Sequence, residues 1–227
     1  MQPEAPRRSR RLRHIAVEGA IGVGKTAVAL RLARWLDAET LLEQADDNPF
    51  LERFYGDREG YAFQTQLFFL FQRLAQVRTL AQPGMFAHCV VSDFTFAKDA
   101  LYARLNLSDE EYQHYAQMHA RLAPQLPQPD LVIWLHADAP VLHARIRERG
   151  IVAQQRIGET YLRKIAAAYA AHFGSCEGPP VIAVDGAHCH PGTADAGFAS
   201  LTARVEALRA GLPDPGAADG GVSTLRF

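Results

Sequence analysis

Short apolar runs alternate along the chain with longer stretches in which apolar residues recur every three or four positions. The short runs are strand candidates and the longer ones amphipathic helices. His14-Ile15-Ala16-Val17 is the first run and closes on Glu18-Gly19. From Lys25 onward, Val28, Ala29, Leu32, Ala33 and Leu36 fall at helical spacing. Glu39 to Glu43 is a second strand candidate, followed by an acidic turn containing proline. Residues 48–80 read as helical with a break at Gly56-Asp57, and Phe68, Phe69, Leu70 and Phe71 form an aromatic stripe suited to core or subunit packing. His88 to Ser92 is apolar through its middle, as an internal parallel strand should be. Helices are expected over 97–104, 108–122, 139–149, 158–172 and 195–209, and further strands over 131–135 and 180–184. Strands separated by helices predict an α/β fold with a parallel sheet and right-handed crossovers.

The 227 residues, 48% of them apolar, suit one domain with a continuous core. That domain is expected over residues 14–210, between a basic flexible arm at 1–13 and a Gly/Pro-rich flexible tail at 211–227. The net charge of −1 conceals the cluster Arg7-Arg8-Ser9-Arg10-Arg11-Leu12-Arg13. Such a cluster can bind nucleic acid or anionic lipid, but a solvated arm is the simpler reading and no nucleic-acid partner is expected. No apolar run reaches the length of about 18 residues that a membrane span needs, and the start lacks the apolar stretch of a secretory signal. Cys89, Cys176 and Cys189 are odd in number and irregularly spaced, which predicts free thiols and a cytoplasmic location.

The segment Gly19-Ala20-Ile21-Gly22-Val23-Gly24-Lys25-Thr26 matches Gly-x-x-x-x-Gly-Lys-Thr throughout, and it lies between a strand and a helix candidate. Glycines there let the backbone curl so that N–H groups face phosphates, and the positive helix end adds to their field. Lys25 would meet the β- and γ-phosphates of ATP and the Thr26 hydroxyl would ligate Mg²⁺. The loop alone says nucleoside triphosphate without saying which reaction follows. Glu43 and Asp93 end the second and third strand candidates, where ligands of open α/β sheets bind. One could accept a proton and the other, Asp93, help hold Mg²⁺. Arg145, Arg147, Arg149 and Arg156 flank a segment between two helices, and a lid is expected over about 145–157. Arg145 and Arg149 are the candidates for neutralising charge during transfer and Arg156 for contacting the nucleotide.

Several ordered segments together resemble the deoxyribonucleoside kinase family, in particular its bacterial members. They are Glu18 to Thr26, Glu43, Asn48-Pro49-Phe50-Leu51 with Phe54-Tyr55, Tyr61-Ala62-Phe63-Gln64, Ser92-Asp93, Asp99, Arg149-Gly150 and Tyr161-Leu162. The resemblance runs from about Ile15 to Val184. It implies a P-loop kinase fold with a parallel sheet of five strands between two helical layers, a helix-packed homodimer, and transfer of the γ-phosphoryl group of ATP to the 5′-hydroxyl of a deoxyribonucleoside. It also implies that Glu43 is the general base and that Tyr55 contacts the sugar. Gln64 then hydrogen-bonds the base, Asp93 is the acid after the third strand, and Asp99 reads the base edge. Two departures stand out. Phe94 occupies the place of an arginine beside the acid, so its charge is missing or comes from Lys98 or Arg73; and Ile151 follows Arg149-Gly150 where a second arginine is usual.

Two other readings share these features. A nucleoside monophosphate kinase has the same sheet, loop and lid, but grips its acceptor phosphate with clustered arginines. A nucleotide-binding regulatory protein would need no proton acceptor at Glu43.

Overall fold

The computed structural model describes residues 12–80, 89–123, 126–174, 178–186, 195–212, 214–215 and 224–225. Its strands are β1 (His14–Gly19), β2 (Glu39–Leu41), β3 (Val90–Ser92), β4 (Leu131–His136), β5 (Val181–Asp185) and β6 (Thr224–Leu225). They form one sheet of order β2-β3-β1-β4-β5-β6, and every pairing is parallel. The five expected strands are present. The two-residue β6 adds to the β5 edge, so part of a tail expected to fray is paired into the sheet. Asp214 is likewise held, by the buried Arg204. At the other end Leu12 is buried in the core and Asp130 accepts the backbone N–H of Arg13, so the ordered chain begins before residue 14. The rest of the basic arm, with Cys176 and Cys189, lies outside the described residues.

The helices are α1 (Lys25–Leu36), α2 (Leu51–Gly56), α3 (Arg58–Thr79), α4 (Ala97–Asn106), α5 (Asp109–Leu122), α6 (Ala139–Arg149), α7 (Glu159–Gly174) and α8 (Asp195–Arg209). Asp57 separates α2 from α3 and caps α3 by accepting the Gly60 N–H, which accounts for the break in the helical pattern. Ser108 and Glu111 form a reciprocal capping box that starts α5.

The main core joins the sheet to the flanking helices. Ile15, Val17, Val91, Ile133, Leu135 and Ile182 are buried there with Leu32 of α1, Leu142 of α6 and Ile165 of α7. A second apolar cluster fills the space beneath α2, α3, α4 and α5. Phe94 belongs to it, with only 1% of its surface exposed. The second cluster sets how α3 and α4 lean over the C-terminal edges of β2 and β3.

Candidate active site

At the end of β1 the chain turns through Gly19 at φ +146°, where a Cβ would lie 2.2 Å from the Leu135 carbonyl oxygen. Only glycine permits that approach to β4. Gly24, at φ +100°, starts α1 without any side-chain cap, which leaves first-turn N–H groups available to a ligand. Ile21, Gly22, Gly24, Lys25 and Thr26 line a cavity of about 710 Å³. That is in the upper part of the roughly 300–1,000 Å³ range of ligand pockets. Gly19, Ala20 and Val23 shape the loop from behind: the Ala20 carbonyl accepts from Lys25 Nζ at 3.2 Å, and the Val23 carbonyl accepts from Arg145 Nη1 at 3.3 Å. Burial lowers the Lys25 pKa to about 8, with the Lys98 charge acting in the same direction.

The two carboxylates picked out in the sequence face this cavity together. Asp93, directly after β3, accepts the Thr26 hydroxyl at 2.5 Å with one oxygen and the Glu43 backbone N–H at 2.7 Å with the other. Glu43, two residues past β2, accepts from Lys98 Nζ at 2.7 Å and from Arg73 Nη2. Burial would push its pKa up, but Lys98 and Arg73 outweigh this and hold it well below the usual carboxylate range. Thr26 and Asp93 supply adjacent oxygen donors at the mouth of the phosphate loop, which suits Mg²⁺. This ion commonly takes one or two carboxylates and fills its remaining sites from phosphates and water.

Away from the phosphate loop the cavity is lined by Leu51, Phe54, Tyr55, Gln66, Phe69 and Tyr102, with Tyr161 from α7. Tyr55 lines the cavity, and burial raises its pKa, so the phenol is a neutral donor. Gln64 does not. Its side chain is exposed on α3, outside the cavity, whereas Gln66 is 3% exposed and lines it. Two residues along a helix turn the side chain by about 200°, so the two amides point to opposite sides. Asp99 is fully buried behind Arg73, which donates to it, and is not among the cavity-lining residues. Burial raises its pKa to about 6 against the pull of Arg73.

From the lid, Arg145, Glu148, Arg149, Ile151 and Gln154 reach the cavity. Arg156 does not: its side chain is exposed, at the end of a 3₁₀ turn (Val152–Arg156), and its guanidinium lies against Gly56 of α2. Arg156, expected to contact the nucleotide, here links the lid to α2.

Sequence reasoning left Glu18 without a role. Its fully buried carboxylate accepts from the Gly19 N–H, the Thr95 N–H and hydroxyl, and the Tyr169 hydroxyl, over 2.5–3.1 Å. This ties the root of the phosphate loop to the turn after β3 and to α7. An acidic residue closing an otherwise apolar strand was the available signal.

A family model described as "Deoxynucleoside kinase" matches residues 15–206. The chain belongs to the deoxynucleoside kinase family. It is 31% identical to a deoxyguanosine kinase of Bacillus subtilis over 156 residues, spanning 68% of this chain and 75% of that protein. With a deoxyadenosine kinase of Dictyostelium discoideum it shares 33% over 159 residues, 69% of this chain and 64% of the relative. Among solved structures, a deoxyadenosine kinase from M. mycoides with bound products superposes with a TM-score of 0.67 at 23% identity, covering 74% of this chain and 89% of that one; this likeness concerns the fold. As a deoxynucleoside kinase family member, the chain is a phosphotransferase that acts on deoxyribonucleosides.

Proposed function

We propose that this enzyme transfers the γ-phosphoryl group of ATP to the 5′-hydroxyl of a deoxyribonucleoside. The carrying observation is the Asp93 carboxylate, which joins Thr26 of the phosphate loop to Glu43 across the cavity. Donor phosphates and a proton acceptor are thereby held in one frame, as in-line transfer to a hydroxyl requires. Lys25 and the α1 N-terminus bind the β- and γ-phosphates. Thr26 and Asp93 would hold Mg²⁺, which when bound would neutralise phosphate charge. Glu43 takes the hydroxyl proton, and Arg145 and Arg149 close over the nucleotide from the lid.

A nucleoside fits better than a monophosphate. Arg73 and Lys98, the cations on the acceptor side, are both engaged with Glu43, and Arg73 also with Asp99. An incoming phosphate dianion would need donors that these carboxylates already use, and leaving it unpaired in a partly dry site costs several kcal/mol. Tyr55 is assigned to the sugar and Gln66, in place of Gln64, to the base. The relatives named for deoxyguanosine and deoxyadenosine make those the first nucleosides to assay.

The test compares kcat/KM for the four deoxynucleosides and their 5′-monophosphates at fixed ATP and Mg²⁺. Preference for any monophosphate overturns the assignment in favour of a nucleotide kinase. We also assign a homodimer packed through α3, whose outer face carries Phe71, 53% exposed, beside the half-buried Phe68. Light scattering on the wild type and on Phe71→Glu tests it, a monomeric wild type being the contrary result. A cytoplasmic location is consistent with the free thiol of Cys89, and among the described residues no helix is long and apolar enough to cross a membrane.

A further inference from the structure

Phosphoryl transfer spreads negative charge over the equatorial oxygens of the moving group, and a cation at that point stabilises the transition state. On the acceptor side of the cavity two cations line the wall, Arg73 and Lys98. Arg73 is fixed. It is 3% exposed, donates to Asp99 and Glu43 through different nitrogens, and lies over the Phe69 ring at 4.8 Å. Lys98 is also buried, at 7% exposed, and its ammonium lies 5.6 Å from the Tyr102 ring, but it pairs with one carboxylate where Arg73 pairs with two. It enters from the first turn of α4, and its hydrogen bond is to Glu43 Oε2 at 2.7 Å. An ammonium on a four-carbon stem can redirect its three donors without moving the backbone.

Position 94, directly after the Asp93 carboxylate, offers no charge, because Phe94 is packed into the second apolar cluster. Lys98 is therefore the cation that the β3–α4 segment brings to the cavity. Its charge is felt at Lys25, lowering the pKa of that lysine, so both ammonium groups act on the same space. That space lies between the phosphate loop and Glu43, where a γ-phosphoryl group in transfer would pass.

We propose that Lys98 is a catalytic residue of this enzyme, holding Glu43 in the empty site and moving onto the γ-phosphoryl oxygens during transfer. The proposal rests on the 5′-kinase reading. In the step, the nucleoside 5′-oxygen bonds to the γ-phosphorus and the bond to the β–γ bridging oxygen breaks. That oxygen leaves with the electron pair on ADP, the hydroxyl proton passes to Glu43, and Lys98 keeps its own proton throughout. The same ammonium guards the base before the substrate arrives and stabilises the charge that forms once the base acts.

A double-mutant comparison separates this role from mere positioning of Glu43. If Lys98 acted only through Glu43, adding Lys98→Met to Glu43→Gln would change nothing further. The proposal expects the double variant to lose another ~10²–10³-fold in kcat, the scale for removing one transition-state donor. Nucleoside and ATP KM should stay within about threefold, and Lys98→Arg should recover most of the loss. Arg73 still pairs with Glu43 in Lys98→Met and with Asp99 in the double variant, so both variants keep the buried charges partnered. Binding gives a second readout: ADP affinity is unchanged in Lys98→Met, while affinity for ADP with aluminium fluoride and deoxynucleoside falls. A double variant no slower than Glu43→Gln, or a loss confined to KM, overturns the role of Lys98 while leaving the kinase reading intact. A wild-type protein inactive on all deoxynucleosides overturns that reading instead.

Discussion

The Thr26 hydroxyl donates to an Asp93 oxygen at 2.5 Å, so a residue of the phosphate loop and a residue at the end of the neighbouring strand share one contact. The pairing of β1 with β3 makes this possible, with Ala16 opposite Ser92 directly before Asp93. Asp93→Asn retains the shape but removes the charge that would face Mg²⁺. Its kcat should fall at least ~10²-fold at millimolar Mg²⁺ and recover partly as Mg²⁺ is raised, because metal neutralisation of phosphate charge carries much of the catalysis. A Mg²⁺ titration of initial rates checks this; an unaltered Mg²⁺ midpoint would contradict the assignment.

Replacing Glu43, the proposed proton acceptor, should behave differently. Glu43→Gln is expected to lose ~10²–10⁴-fold in kcat, the usual worth of general-base catalysis, at every Mg²⁺ concentration. Nucleoside KM should change little, because the lost interaction matters chiefly in the transition state. Rescue of this variant by added Mg²⁺ would show that Glu43 serves the metal.

The Gln64 and Gln66 pair offers a sharper check on the acceptor pocket. Gln66→Leu should lower kcat/KM for the preferred nucleoside by ~10-fold or more and flatten selectivity, since a buried base edge then lacks its partner. Gln64→Leu, on the exposed side of α3, should match the wild type. Selectivity profiles over four deoxynucleosides decide between them, and a loss confined to Gln64→Leu would reverse the assignment.

The order of elements could be read from the sequence because each long segment repeats apolar residues at one clear period. Residues 195–209, for example, form α8 over the expected span. The phosphate loop, Glu43 and Asp93 could be read because strand ends face the site whatever the surrounding helices do. The acceptor pocket depends on helix phase, and there a two-residue slip moved the amide to solvent. Arg73 held the correction: Gln66 lies seven residues before it, two turns up the same face, whereas Gln64 does not. The contact of Arg156 with Gly56 could not be anticipated, because it depends on how the lid folds over α2 and no local pattern specifies that packing.

Histidine burial predicts a pH dependence of stability. His14 pairs with Ser92 through Nε2, and burial lowers its pKa from 6.5 to about 4 against the pull of Asp130. The folded pKa lies below the unfolded one, so this contribution is complete above pH ~6.5 and is lost as pH falls towards 4. The wild type should lose on the order of 2–3 kcal/mol from this group between pH 7 and 4.5. His14→Gln should lack that component. Asp99, with a raised pKa, acts in the opposite sense, but it is present in both proteins and cancels in the comparison. Urea melts of the two across this range provide the measurement, and parallel pH curves would exclude the effect.

The lid touches the acceptor side where Arg156 lies against Gly56 of α2, and just beyond the lid Tyr161 of α7 packs its ring under Arg58 of α3 at 3.8 Å. A nucleotide and a nucleoside bound in this cavity would share one wall. Lifting the lid for ADP to leave would also strip contacts from the side that holds the nucleoside monophosphate. Exit of the two products then belongs to a single opening motion, and viscosity should slow both departures alike. If the shared wall excludes water from a bound γ-phosphate, the rate of futile ATP hydrolysis measures how often that wall parts.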